Sequence, residues 1–306
     1  MTGTLAAMEA AAVEAAAREG AAPAGPWSVE LAAAVAIVEQ AGRLVAERYE
    51  DSGPVAYKSA RDIVTEVDHA AEALVRDGLA ARFPDDAFLG EESGRDATAG
   101  PRVWVCDPVD GTINYANGLP FFCVSLALVA DGSPVVGVVH DPLRRETFAA
   151  AAGRPATLDG REVHASEKER LSDVVMALTV GGRAPARRVA RVRREIRVSR
   201  TMGSAALALA YVANGRFDAF CQTIGLSTWD IAAAGFIAQQ AGAVVTDLHG
   251  GPWFDLDAPG GRMGVLAAPP PHHPRLLALL GEGGRPSPAR RSAGRAPAVR
   301  PREEAR

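Results

Sequence analysis

Apolar residues recur at helical spacing soon after the chain begins. Leu31, Val35, Val38, Leu44 and Val45 share one face of a helix starting near Trp27. Residues 58–68 are polar and read as a loop entering a second helix, with Ala70, Leu74 and Leu79 turned inward. Phe88-Leu89 then predicts a short strand that runs through Gly90 into an acidic turn, Glu91-Glu92-Ser93. The next stretch is β-rich over 103–106, 123–129 and 135–140, with Asp131-Gly132 marking a tight hairpin between the last two. Asp159-Gly160 marks another turn, and 174–180 predicts a further strand. Small residues over 203–214 predict a helix stopped by Gly215; 229–241 predicts a second, stopped by Gly242, and 243–247 a returning strand. Strands and helices arrive in blocks, which predicts layered α+β packing over a strict βαβ alternation.

The chain has 306 residues, enough for one large domain or two moderate ones. With 48% hydrophobic and 23% charged residues, it has the composition of a soluble globular protein. The net charge of -4 is unevenly spread: seven Arg and two Glu from Arg285 onward carry +5, leaving -9 on the rest. Residues 1–27, rich in Ala and ending in Gly and Pro, predict a flexible extension, and 284–306 a disordered basic tail. Cys106, Cys123 and Cys221 form no CxxC or Cys/His cluster and are expected to be small buried hydrophobes of a reducing compartment. No apolar run reaches the length of roughly 20 residues that a membrane span needs. The N-terminus lacks a basic region before an apolar core, so no signal peptide is expected. A cytoplasmic enzyme is the default expectation.

The chemistry concentrates where the strand over 103–106 meets Asp107-Pro108-Val109-Asp110-Gly111-Thr112-Ile113-Asn114-Tyr115. Two carboxylates this close repel unless a cation lies between them. Hard oxygen ligands beside a helix start suit divalent cations and a phosphate. Asp110 also fits a helix N-cap. Glu91-Glu92 form a second acidic pair at a strand end, Asp230 opens a helix, and Asp62, Glu66 and Asp68 cluster at the start of another. Each, taken alone, also fits a cap or a solvated turn.

Taken together, these segments resemble the inositol monophosphatase family. Asp107-Pro108-Val109-Asp110-Gly111-Thr112 with Trp229-Asp230-Ile231-Ala232-Ala233 looks like that family's paired signature. Gly90-Glu91-Glu92-Ser93 resembles its metal-binding turn, and Lys58 followed by Asp62-Ile63-Val64-Thr65-Glu66-Val67-Asp68 its N-terminal motif. Gly203-Ser204-Ala205-Ala206 is similar to its substrate loop. The motifs keep the family's order and span about residues 28–280.

The resemblance implies the α-β-α-β-α sandwich of the inositol monophosphatase and fructose-1,6-bisphosphatase type. Its halves, 28–160 and 161–283, would meet at the active site. The implied activity is Mg²⁺-dependent hydrolysis of a small phosphate monoester, inositol monophosphate or a related polyol or sugar phosphate. By the same resemblance, Glu91, Asp107 and the Val109 carbonyl would hold one Mg²⁺, and Asp107, Asp110 and Asp230 a second, with a third reached through Glu91 and water. All-oxygen ligands favour Mg²⁺ over zinc. Thr112, with Glu91 or Asp68, would orient or deprotonate the attacking water, and the Gly111 and Thr112 amides would hold the phosphate. Gly203, Ser204, Ala205 and Thr223 would line the substrate pocket, with Lys58 near the metals. Homodimers and lithium inhibition are usual in the family.

Inositol-selective members carry an acidic residue seven positions before the equivalent of Asp230, where this chain has Thr223. That substitution removes a carboxylate contact to substrate hydroxyls. Phosphatases of histidinol phosphate, fructose 1,6-bisphosphate and nucleotide 3'-phosphates share the metal motifs and stand as alternatives. Residues 183–200 contain eight Arg and one Glu without aromatic residues, which suits a solvated or interface helix better than a nucleic-acid groove. Some bacterial members nevertheless associate with the transcription machinery, so a binding role through RNA or that machinery is the alternative of another class.

Overall fold

Residues 25–49, 55–59, 62–96, 100–181, 186–258 and 260–280 are described by a computed structural model. The expectations for residues 1–24 and for the basic tail lie outside these residues, as do the side chains of Lys58, Asp62 and Arg187.

Helix α1 (Ser28–Glu47) precedes β1 (Val55–Ser59) and β2 (Asp62–Thr65), which pair antiparallel. Helix α2 (Glu66–Ala80) leads into β3 (Ala87–Gly90), β4 (Gly94–Arg95) and β5 (Arg102–Asp110). After α3 (Thr112–Ala116) comes a meander of β6 (Cys123–Ala130), β7 (Ser133–Asp141), β8 (Glu146–Ala151), β9 (Thr157–Leu158) and β10 (Arg161–Glu162). The later part contains β11 (Val175–Thr179), α4 (Ala186–Glu195), β12 (Val198–Arg200), α5 (Ala205–Ala210) and β13 (Ala219–Leu226). It ends with α6 (Thr228–Gln240), β14 (Val244–Thr246), β15 (Met263–Ala268) and α7 (His273–Leu280).

Among the described residues, an eight-stranded sheet runs in the order β10-β9-β8-β7-β6-β5-β3-β4 and a five-stranded one in the order β12-β11-β13-β15-β14. Successive strand residues face opposite sides, so a strand buried on both faces needs two partners. In β5, Trp104 and Cys106 join a cluster with Val38 and Val45 of α1 and Val67 and Val75 of α2. Val103 and Val105 join another with Leu207 of α5 and Ile231 of α6. That second cluster continues to Phe220, Val265 and Ala267 of the smaller sheet. The far face of the smaller sheet, with Met176, Leu178 and Leu266, is covered by Val192 of α4 and Leu276 of α7. The result is the five-layered α-β-α-β-α arrangement expected. Helix α6 lies in the middle layer, so Ile231-Ala232-Ala233-Ala234 is apolar on every side.

Asp131 and Gly132 both take left-handed conformations, φ 50° and 76°, which closes the β6–β7 hairpin as expected. All three cysteines are buried and free, also as expected. Three readings need correction. Residues 58–68 are not one polar loop: 55–59 and 62–65 pair as a two-stranded ribbon too short to show a period. The buried face of α2 is Val67, Ala71, Val75 and Leu79, and Ala70 and Leu74 are only partly buried. A capping box between Thr65 and Asp68 fixes the helix start and so the rotation of that face.

Third, β5 does not stop at Cys106 but continues to Asp110, with a register slip against β6 between Asp107 and Asp110. Pro108 sits in the slip, where its missing N–H costs no ladder bond. In a regular strand, residues three apart point to opposite faces. The slip lets Asp107 and Asp110 serve one site. Among the described residues, no helix is long and apolar enough to cross a membrane.

Candidate metal centre

Three elements converge on the slip in β5. Carboxylate oxygens of Asp107, Asp110 and Asp230 lie within 4.8 Å of one another. Asp107 is buried, and its Oδ1 accepts from the Val109 amide at 3.1 Å. Asp230 stands in the first turn of α6, where its Oδ2 accepts from the Ser227 amide at 2.6 Å. It is a cap and a cluster member at once.

Asp110 does not cap α3 beside it; Gly111 occupies that position. It caps α5 instead, across nearly a hundred residues of chain. Its Oδ1 accepts from the Ala205 amide at 3.2 Å, and its Oδ2 from the Ala206 amide at 2.7 Å and from the Ser204 hydroxyl. Ser204 Oγ in turn accepts from the Leu207 amide at 3.3 Å. Gly111 permits the close approach: its φ is 101°, and a Cβ there would lie 3.1 Å from Ser204 Cβ and 3.2 Å from the Phe121 carbonyl.

Burial dominates the protonation of this cluster. It pushes Asp107 well above the ordinary carboxylate range, and the charges of Glu91, Asp110, Asp230 and Asp68 add to that. Burial likewise raises Asp230 well above its ordinary value, with Asp110 the next cause. Asp110 is raised by burial too, against the pull of Ser204 and the α5 amides. A group of carboxylates that resist ionisation together fits a divalent cation, which would remove the repulsion. The donor set is oxygen. Cys123 Sγ lies 3.8 Å from Asp110 Oδ2, but burial and the Asp110 charge push its thiol up, so it is a neutral donor and no thiolate ligand.

Glu91 lies close enough to be the first charge felt by Asp107. Its amide donates to the Cys106 carbonyl at 3.1 Å, which ties its turn to β5. Asp68 on α2 holds Thr65 through Oδ2, at 2.9 Å from the amide and 2.5 Å from the hydroxyl. Its Oδ1 faces the Thr112 hydroxyl at 3.2 Å, and that hydroxyl lies 3.0 Å from the Val109 carbonyl. Glu91, Asp68 and Thr112 thus border the three aspartates, and Ser204 and Ala205 touch Asp110 directly.

Thr223 lies on β13. Its Oγ1 accepts from the Gly181 amide at 3.1 Å, and it lines a cavity of about 300 Å³ with Asp247, His249, Trp253, Asp255 and Arg262. The arginines of the 183–200 segment that the structure describes lie at the surface: Arg197 pairs with Asp173 at 2.8 Å, and Arg193 bonds Ser199 at 3.2 Å. Two side chains that hold the site together escaped the sequence reading. Asn114 Nδ2 donates to the Phe121 and Met202 carbonyls at 2.6 and 2.8 Å, stitching the loop after β5 to the segment before Ser204. Glu72 accepts from the Glu92 and Ser93 amides. Its position four residues after Asp68, on the same helix face, is the signal that could have found it.

The family model described as "Inositol monophosphatase family" matches residues 27–284. Inositol monophosphatase 2 of Solanum lycopersicum is 37% identical over 237 residues, covering 74% of this chain and 89% of the relative. Nus factor SuhB of Escherichia coli (strain K12) is 39% identical over 227 residues, covering 71% and 85% respectively. Among solved structures, the Thermotoga maritima IMPase superposes with a TM-score of 0.75 at 32% identity, covering 82% of this chain and 96% of that one.

Proposed function

The chain belongs to the inositol monophosphatase family and is a phosphoric monoester hydrolase; from that premise, we propose that it hydrolyses a small polyol or sugar monophosphate with Mg²⁺. The observation that carries the reading is the triad of Asp107, Asp110 and Asp230, whose carboxylate oxygens lie within 4.8 Å of one another and whose pKa values are raised together by burial and mutual repulsion. In this reading Glu91, Asp107 and the Val109 carbonyl would hold one ion, and Asp107, Asp110 and Asp230 the other. When bound, the ions supply an acidified water and charge neutralisation at the leaving oxygen.

The protein's own groups do the rest. Thr112 presents its hydroxyl oxygen to the attacking water, and Asp68, anchored by Thr65, keeps that hydroxyl in place. The water proton passes toward Thr112 and Asp68 or Glu91 as the water oxygen attacks phosphorus in line. The phosphorus–oxygen ester bond breaks, and the departing alkoxide takes a proton from solvent. Amides of Gly111 and Thr112 contact the phosphate. Ser204 and Ala205, fixed by Asp110, place the Gly203 loop beside the substrate. The reading also carries a homodimer and a cytoplasmic location.

Thr112→Val keeps shape and loses the hydroxyl. Turnover is expected to fall by about 10²- to 10⁴-fold, the usual range for positioned proton transfer, with the Mg²⁺ activation midpoint unchanged. A midpoint that moved with turnover would instead place Thr112 at the metal.

The deciding experiment is a phosphate-release screen over inositol, sugar, histidinol and nucleotide phosphates with Mg²⁺. Release from none of them would overturn the reading. Thr223, held on Gly181, offers no carboxylate to substrate hydroxyls, so a preference outside inositol monophosphate is expected. A second reading, association with RNA or transcription partners, is favoured by the surface arginines around α4 and by likeness to a relative named Nus factor SuhB. It requires RNA affinity that falls steeply with salt, and no measurable binding by the full-length chain would remove it.

A further inference from the structure

Helix α2 carries two buried carboxylates one turn apart, Asp68 and Glu72, which are 1% and 2% exposed. Residues four apart share a helix face. Asp68 reaches Thr112, while Glu72 reaches a different segment. Glu72 Oε2 accepts from the Glu92 amide at 2.8 Å, and Oε1 from the Ser93 amide at 2.9 Å. Both oxygens of one carboxylate are spent on the backbone of the turn that carries Glu91. Gly90 makes room for this: a Cβ there would fall 2.3 Å from Glu72 Oε2 and 2.5 Å from its Cδ. Apolar packing would fasten a turn at less desolvation cost than a buried carboxylate. A carboxylate supplies what packing does not, a set direction for two adjacent amides and so a set place for the residue before them.

We propose that Glu72 is a positioning residue that holds the 91–93 turn so that Glu91 stands correctly against Asp107. With Asp68 it makes α2 a rigid spacer between Glu91, whose charge acts on Asp107, and Thr112, which Asp68 holds. Glu72 therefore sets the affinity for a divalent cation that it does not touch. The proposal rests on the metal reading above.

The test compares the parent protein with Glu72→Gln, with Gly90→Ala, and with Asp77→Asn as a control at an exposed position of the same helix. Glutamine keeps the size of Glu72 but turns an N–H group against one of the two amides; alanine at Gly90 displaces the Glu72 carboxylate. Mn²⁺ binding is measured by calorimetry, alongside the Mg²⁺ midpoint for phosphate release and the melting temperature. Glu72→Gln and Gly90→Ala are expected to weaken Mn²⁺ binding about 10- to 100-fold, the usual cost of losing a group that orients a ligand. The Mg²⁺ midpoint should move by the same factor, turnover at saturating Mg²⁺ should fall less, and Asp77→Asn should match the parent. Variants that melt earlier but bind Mn²⁺ like the parent would overturn the proposal alone. A parent that binds no divalent cation would overturn the metal reading and this proposal with it. Should Glu72→Gln fail to fold, Gly90→Ala reads the same link.

Discussion

Asp110→Asn is expected to reduce Mg²⁺-dependent phosphate release by at least about a thousandfold, the equivalent of several kcal/mol of lost charge stabilisation at the transition state. The substitution changes one atom and keeps the shape, yet Asp110 does two jobs. It contributes an oxygen to the triad, and it caps α5 through Ala205, Ala206 and Ser204. An asparagine leaves one oxygen for those donors and turns an N–H group toward the others, at a cost of about 1–2 kcal/mol. Removing one charge from a crowded buried group offsets part of that loss. The variant should therefore remain folded by circular dichroism while phosphate release disappears. Near-parental turnover would show that Asp110 is a helix cap only, and would remove it from the metal site.

Mg²⁺ should change how stability depends on pH. Asp107 and Asp230 have folded-state pKa values well above the ordinary value, and Asp110 is raised as well. Without metal, the folded protein then holds more protons than the unfolded chain at mildly acidic pH. The stability linked to these groups is complete below the unfolded carboxylate pKa of about 4 and is lost as pH rises through the folded values. Metal-free protein should melt at progressively lower temperature as pH climbs above about 4–5. Mg²⁺ binds the ionised carboxylates, so its stabilisation should grow over the same window. At a concentration a hundred times Kd the gain is about 2.7 kcal/mol, or roughly 4–5 °C for a protein of this size. Thermal melts with chelator and with Mg²⁺ at acidic and alkaline pH check this. A pH profile that Mg²⁺ leaves unaltered would place no cation among these carboxylates.

The two expectations share one cause. Five carboxylates are crowded together, with Asp68, Asp107 and Asp110 buried, at a cost to the folded state that only a function makes worthwhile. Asp107 carries the largest share, since it is buried and feels the charges of Glu91, Asp110, Asp230 and Asp68. Stability is spent where the chemistry is, and the surrounding sandwich of apolar layers supplies it. That sandwich is anchored by α6, whose all-round alanine and isoleucine surface packs between the two sheets while its first turn delivers Asp230.

Sequence by itself determined the local grammar of this protein. Hairpin turns at Asp131-Gly132, the stop at Gly242 and the central strand before Asp107 follow from backbone sterics and hydrophobic alternation acting within a few residues. The acidic motifs were legible only as an ordered set that resembles a known family, because each alone also fits a helix cap or a solvated turn. Tertiary structure alone decided what those carboxylates touch. The slip at Pro108, which puts Asp107 and Asp110 at one site, depends on the register against β6. The capping of α5 by Asp110 joins residues nearly a hundred positions apart, and the grip of Glu72 on the Glu92 and Ser93 amides spans about twenty. Resemblance alone marks Thr223 as a pocket residue, and its bond to Gly181 appears only when β11 and β13 pair. Short-range sterics are written in neighbouring residues, whereas hydrogen bonds between distant segments exist only once the layers have packed and fixed which groups meet.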